Sequence, residues 1–232
     1  MKKIGIIGAM ELEVETLKSK MNVVKTTKKA NMEFCAGTLN GTPVVIVRSG
    51  VGKVNAAICA QILCDIFQVT NIINTGVAGS LKAEINIGDI VVSTDAGYHD
   101  VDATIFGYAL GEVPQLGVRF FEADKEMQEK AIASCKEVNP EIGVYSGRVV
   151  SGDQFIASRE VKNKIAENFD GACTEMEGCS IAHVAFLNQI PFVILRAISD
   201  KADDSAEEDY PSFERKAAIR CAKLVEDFVG RL

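Results

Sequence analysis

The sequence has no tryptophan, five prolines and only two histidines, His99 and His183, in 232 residues. Two histidines exclude a His-rich metal site, and no Cys/His/carboxylate spacing supports a mixed one. Seven cysteines run from Cys35 to Cys221 without a CxxC pair. An odd, scattered set suits a reducing compartment and reads as small buried apolar residues rather than a disulfide framework. Positive charge is in deficit, with 25 Lys plus Arg against 32 Asp plus Glu and a formal charge of −7. Such a chain is a poor grip for phosphate backbones, so nucleic acid is not an expected partner. No apolar run approaches the ~20 residues that a membrane span needs. Lys2-Lys3 and the apolar run to Met10 resemble a secretory leader, but Glu11, Glu13 and Glu15 follow where small residues would be required. The reading is a cytoplasmic protein with no membrane partner.

Hydrophobic residues make up 47% and charged residues 25%, enough for a large core without staples. Nothing resembles a linker or an internal repeat, so residues 1–232 read as one domain. Ile4–Gly8, Asn71–Gly76, Asp89–Ser93, Gly143–Ser151 and Pro191–Ser199 are short apolar runs of the kind that buried strands show. Between them Met10–Met21, Lys125–Lys136, Gly178–Asn188 and Ser212–Val229 have helical periodicity. Ser158 stands where a helix cap is expected. Val54–Phe67 is apolar almost all round, which suits a deeply buried helix or one in a subunit interface. Met32–Leu39 and Pro43–Val47 flank Asn40-Gly41, the favoured two-residue hairpin turn. Strands alternating with helices imply an α/β fold whose largely parallel sheet is covered on both faces. The acidic run from Asp203 to Asp209 reads as a solvated loop.

Ligands in such sheets sit beyond the carboxyl ends of the strands. There the chain places Gly8-Ala9-Met10-Glu11-Leu12-Glu13, Ser49-Gly50-Val51-Gly52-Lys53, Asn74-Thr75-Gly76-Val77-Ala78-Gly79, Ser151-Gly152-Asp153-Gln154-Phe155, Thr174-Glu175-Met176-Glu177 and Arg196-Ala197-Ile198-Ser199-Asp200. Phosphate motifs fail. A P-loop ending at Gly52-Lys53 would need glycine at Val47 and Ser or Thr at Val54. A dinucleotide fingerprint from Gly50 would need glycine at Asn55. The loops are poor in phosphate grips and rich in carboxylates, which suits a reaction that develops positive charge.

Taken in order, these segments, together with Gly88-Asp89-Ile90-Val91-Val92-Ser93 and Tyr98-His99-Asp100, resemble the 5′-methylthioadenosine/S-adenosylhomocysteine nucleosidases, a branch of the nucleoside phosphorylase family. The resemblance covers essentially the whole chain. It implies a three-layer α/β/α fold with a mixed central sheet, no cofactor, no metal, a homodimer, and hydrolysis of the N-glycosidic bond of adenine nucleosides bearing a 5′ thioether.

Breaking C1′–N9 leaves positive charge on the ribose and negative charge on adenine. A neutral carboxylic acid that protonates N7 eases departure, and a carboxylate that orients water completes the substitution. The resemblance assigns the acid to Asp200, beside Ser199, and the base to Glu13. It assigns the ribose hydroxyls to Glu177, with Glu175 supporting sugar or water and Met176 packing on the ribose. Phe155 would stack on adenine beside Ala78 and Gly79, and the Ile156 backbone would pair with the base edge. Met10, Val51 and Tyr210, with Phe213 nearby, would receive the 5′ substituent. Ala103, Phe106 and Pro114 match positions that cross to the partner subunit, and Arg196 would organise the Asp200 loop. Two other readings stay open: a phosphate-using nucleoside phosphorylase, against which Glu13 argues by occupying the place of a phosphate-binding cation, and a non-catalytic adenosine binder. A nucleosidase for another 5′ substituent, such as a futalosine-type substrate, also fits.

Overall fold

The strand that opens the chain is apolar enough to be buried on both faces, and it lies inside the sheet between two parallel neighbours. The computed structural model describes residues 2–232. In chain order the elements are β1 (Ile4–Gly8), α1 (Glu11–Lys20), β2 (Asn22–Lys29), β3 (Met32–Leu39), β4 (Thr42–Arg48), α2 (Lys53–Asp65), β5 (Asn71–Ser80), β6 (Ile90–Tyr98), β7 (Phe120–Glu122), α3 (Lys125–Val138), β8 (Val144–Ser151), α4 (Arg159–Phe169), β9 (Gly171–Glu175), α5 (Gly178–Leu187), β10 (Phe192–Asp200) and α6 (Ala206–Arg231).

One mixed ten-stranded sheet holds them together. β4, β1, β5 and β10 run parallel side by side. β5 also pairs antiparallel with β9, and β10 with β6, while β6, β8 and β9 are parallel neighbours. Five strands therefore close on one another, and β1, β4, β3 and β2 extend from that ring. One face is covered by α1, α3 and α6, through Val14, Leu17, Met127, Ala131, Ala218 and Leu224. The other is covered by α2 and α5, through Ala56, Cys59, Leu63, Ile181 and Ala185. A smaller apolar cluster seats α4 through Ile165 and Phe169.

The hairpin turn forms as its residues predict: Asn40 and Gly41 both have positive φ, 48° and 81°. It is no mere addition, because β4 pairs along its length with β1. β2, not expected from the sequence, extends this arm as an exposed edge. Its lysines charge the edge and so discourage further strand pairing.

Other expectations need correction. α6 begins at Ala206 rather than Ser212 and carries Pro211 within it, so the acidic stretch from residue 207 is helical, not loop. The Ser158 side chain makes no capping bond. Of the two readings of helix α2, burial all round is set aside, since Val54 and Ile58 are exposed while Ala56, Cys59 and Leu63 are buried; the exposed apolar residues are compatible with the subunit-interface reading.

Candidate active site

Register delivers the site. β10 lays Arg196 beside Gly76 and Asp200 beside Gly79, and Gly79 faces Thr174 of β9. Ser151 at the end of β8 faces Glu175. The β5–β10 register shifts between Ile198 and Asp200, leaving Ser199 as the extra residue of a bulge that re-aims the strand end. Chain ends from β1, β5, β9 and β10 thus converge on one cleft of about 100 Å³. Its walls include Met10, Glu13, Val51, Ala78, Gly79, Phe155, Glu175, Met176, Glu177, Ser199, Asp200 and Tyr210. A roomier groove runs along β2 and β3 between Lys28, Lys29, Glu33 and Arg48, but it is a charged surface channel holding none of these carboxylates.

Glu13 lies one turn into α1 and is 2% exposed. Its Oε2 accepts the amides of Ala9 (2.7 Å) and Met10 (2.9 Å), and its Oε1 accepts that of Val77 (3.0 Å). Burial pushes its pKa up, opposed by Arg196 and by those three amides. The result is a desolvated carboxylate more basic than a free one. Gly76 is required by this crowding, because a Cβ there would stand 2.2 Å from Arg196 Nη1 and 2.4 Å from Glu13 Oε1.

Glu175 and Glu177 bracket the start of α5. Glu175 is fully engaged: Ser151 Oγ donates to Oε1, while Oε2 accepts the Arg196 guanidinium and the amides of Glu177 (3.1 Å) and Gly178 (2.7 Å). Glu177 is looser. Its Oε1 accepts the Gly52 amide at 2.8 Å and its Oε2 lies 3.8 Å from Arg196 Nη2. Burial, reinforced by the Glu175 charge, pushes its pKa up to about 8 against the pull of Arg196 and Gly52.

Arg196 is 1% exposed and underpins the whole cluster. Its Nη2 donates to Asn74 Oδ1 at 2.6 Å as well as to Glu175. A lone buried guanidinium would cost several kcal/mol; here the carboxylates of Glu175, Glu177 and Glu13 offset its desolvation. Arg196 therefore holds the glutamates, not the Asp200 loop, and it does not line the cleft. The bulge at Ser199 separates the two roles.

Asp200 is 2% exposed. The Ala202 amide donates to its Oδ1 (2.8 Å) and Ser199 Oγ lies 2.9 Å from its Oδ2. Burial pushes its pKa up; those two hydrogen bonds oppose the shift, and the charges of Asp209 and Asp203 add to it. Glu13 and Asp200 are thus carboxyl groups of unlike surroundings in one cleft, one held by amides and a cation, the other by neutral groups and neighbouring acids.

Phe155 stands over the cleft half exposed, its ring meeting Tyr210 edge-on at 5.5 Å, and the Tyr210 hydroxyl reaches Met10 Sδ at 3.3 Å. A narrower slot continuing from the cleft is lined by Gly79, Phe155, Ile156 and Met176 and by the polar Gln154, Thr174, Glu175 and Asp200. Phe213 is not part of the cleft; it faces a separate depression with Ile87, Lys216 and Arg220. Ala103, Phe106 and Pro114 do not line it either, and Phe106 and Pro114 are exposed on the loop after β6. Asn74, Ser151 and Gly52 were not given roles from the sequence. Their only signal was membership of the Asn-Thr-Gly, Ser-Gly-Asp and Gly-Val-Gly-Lys loops.

The Phosphorylase superfamily model matches residues 3–230, and the chain belongs to that superfamily. The 5′-methylthioadenosine/S-adenosylhomocysteine nucleosidase of Halalkalibacterium halodurans is 43% identical over 233 residues, covering 100% of both chains. The crystal structure of a nucleosidase of the same name from Colwellia psychrerythraea, in complex with adenine, matches with a TM-score of 0.96 at 39% identity, over 100% of this chain and 96% of that one. The native structure of futalosine hydrolase from Helicobacter pylori matches with a TM-score of 0.94 at 31% identity, over 100% and 98%.

Proposed function

We propose that this chain hydrolyses the N-glycosidic bond of 5′-methylthioadenosine and S-adenosylhomocysteine, and of 5′-deoxyadenosine, to adenine and the corresponding 5′-substituted ribose. The single observation that supports it best is the lining of the cleft. It contains Glu13, Glu175, Glu177 and Asp200 and, among the described residues, no lysine or arginine. A phosphate dianion there would meet the Glu13 carboxylate, about 4 kcal/mol of repulsion for each unit pair at 4 Å and an effective dielectric of 20. Water is the nucleophile such a site accepts.

In this reading adenine lies in the slot under Phe155, its edge against the Ile156 backbone. Asp200, kept protonated by burial, gives its proton to N7 as C1′–N9 breaks. Ser199 Oγ also lies 3.4 Å from the Ala78 carbonyl. The hydroxyl can turn to donate there and accept from protonated Asp200, so it serves either protonation state. Glu177 takes the sugar hydroxyls, and the Arg196-held Glu175 behind it supplies negative charge toward the ribose cation. Glu13 orients a water at C1′ and takes its proton, an arrangement parallel to inverting glycosidases, where water fills the gap between two carboxyl groups. Met10, Val51 and Tyr210 receive the 5′ substituent. Val51 is 48% exposed, so this end is unfinished in one protomer. A second copy, contributing Ala103, Phe106 and Pro114, would complete it and make the working unit a homodimer. The activity fits methionine salvage and removal of S-adenosylmethionine by-products in the cytoplasm.

The test is adenine release from methylthioadenosine in phosphate-free buffer, followed by chromatography. Release at full rate without phosphate is expected. An absolute phosphate requirement would make the protein a phosphorylase, and tight binding without turnover would make it a binder. The likeness to futalosine hydrolase supports a second reading in which the 5′ substituent differs. Parallel assays with methylthioadenosine and futalosine separate the two.

A further inference from the structure

Three loops that form or support the cleft are tied by three side chains that do not line it. The Lys53 ammonium donates to Asp100 Oδ2 at 2.6 Å, and the same oxygen accepts the Asp153 amide at 3.0 Å. Asp153 Oδ1 in turn accepts the Lys53 amide at 2.8 Å. The cycle joins the loop after β4, which carries Val51 and Gly52, to the loops after β6 and β8, the last carrying Phe155. Lys53 also lies over the Tyr98 ring, 5.5 Å from its centroid, and Tyr98 reaches Ser180 of α5 through its hydroxyl at 3.3 Å.

The side chains of Lys53 and Asp100 are 24% and 17% exposed, so the pair is shielded more than an ordinary surface ion pair. Gly52 directly precedes Lys53 and donates the one backbone hydrogen bond that the Glu177 side chain receives among the described residues. Its φ of 96° suits glycine and lets the amide turn toward that carboxylate. A Cβ on Gly52 would come 3.1 Å from Asp153 Oδ1, so the latch and the glycine are packed together.

We propose that Lys53 and Asp100 are positioning residues that latch the Gly52 amide onto Glu177 and hold the Val51 and Phe155 walls at the spacing a nucleoside needs. The inference deepens the nucleosidase reading and rests on it for its kinetic consequence. Glu177 is the group assigned to the ribose hydroxyls, in ground state and transition state alike. Loosening the latch therefore weakens binding uniformly, which raises KM and leaves kcat nearly alone.

The experiment compares the full-length protein with Lys53→Met, Asp100→Asn and Lys53→Arg. Steady-state kinetics use methylthioadenosine; amide exchange at Gly52 is read by NMR, and thermal melting checks folding. Lys53→Met and Asp100→Asn are expected to raise KM about tenfold, or about 1.4 kcal/mol, with kcat within roughly twofold. The same variants should speed Gly52 amide exchange. Lys53→Arg, which keeps the charge and a donor, should recover most of both losses. Wild-type KM and exchange in a folded Asp100→Asn protein would overturn the proposal. So would a loss confined to kcat, or one that Lys53→Arg fails to recover. Absence of adenine release by the unmodified protein would defeat the nucleosidase reading instead, and Gly52 exchange in the same variants would still decide whether the latch exists.

Discussion

The Ser199 hydroxyl lies 2.9 Å from Asp200 Oδ2, on the bulge that ends β10, so the carboxyl group has a partner able to donate or accept a hydrogen bond. In the proposed mechanism this partner serves Asp200 both before and after the proton leaves. Asp200→Asn keeps the shape and removes the proton. It is expected to lower kcat by about a thousandfold, the scale of general acid catalysis, while the affinity for a nucleoside changes by no more than roughly threefold. Adenine release and equilibrium titration measure the two. Activity like that of the unchanged protein would remove Asp200 from the chemistry.

The pH profile follows from the same group. Burial raises the Asp200 pKa, so kcat/KM should fall as pH rises through that raised value, in a limb lying above the ordinary aspartate range. Asp209 adds to the shift, so Asp209→Asn should move the limb to lower pH. A limb that stays put would mean that Asp200 is not the group titrating.

Glu13→Gln keeps an acceptor for amides but cannot take a proton from water. It is expected to cost about a hundredfold or more in kcat, with little change in KM. Rates measured with and without added azide, a small nucleophile that needs no base, check the assignment. Azide should recover part of the rate in the variant and do little for the unchanged protein.

Gly76→Ala tests the packing beneath the cleft. The new methyl would overlap Arg196 Nη1 and Glu13 Oε1, both inside the protein. Overpacking of this kind costs about 2 kcal/mol, which for a chain of this size lowers Tm by roughly 4–8 °C. Calorimetry reads the loss, and activity should fall with it because Glu13 is displaced.

The buried acids should also weaken the fold. The Glu177 pKa is raised to about 8 from 4.5, so the folded protein holds a proton that the unfolded chain releases. Its contribution is most favourable below about pH 4.5 and is lost progressively as pH rises toward 8. Glu177→Gln should therefore raise Tm by roughly 2–6 °C near pH 8, with the gain shrinking toward pH 5. It should abolish most activity at the same time. A gain that grows as pH falls would contradict the sign of the shift.

Much of the architecture was legible in the residue pattern. The apolar runs of β1, β5 and β10 and the Asn40-Gly41 turn are local signals with local causes. β2 was not legible, because it is short of apolar residues and becomes a strand only by pairing with β3. The start of α6 was misplaced because Pro211 reads as a boundary. The helix runs through it, losing one backbone bond, while Ala206 is buried and Tyr210 packs against Phe155.

The sequence by itself determined which chemistry was available: carboxylates at strand ends, glycines that admit close approach, and too few cations to hold phosphate. Tertiary structure alone decided which carboxylates meet. Strand alternation would send Arg196 and Asp200 to one side, and only the bulge at Ser199 parts them, giving Arg196 to the glutamates and Asp200 to the slot beside Phe155 and Ile156. Register and bulges arise from pairing between strands far apart in the chain, and burial, which sets the proton affinity of each acid, exists only once those strands have met.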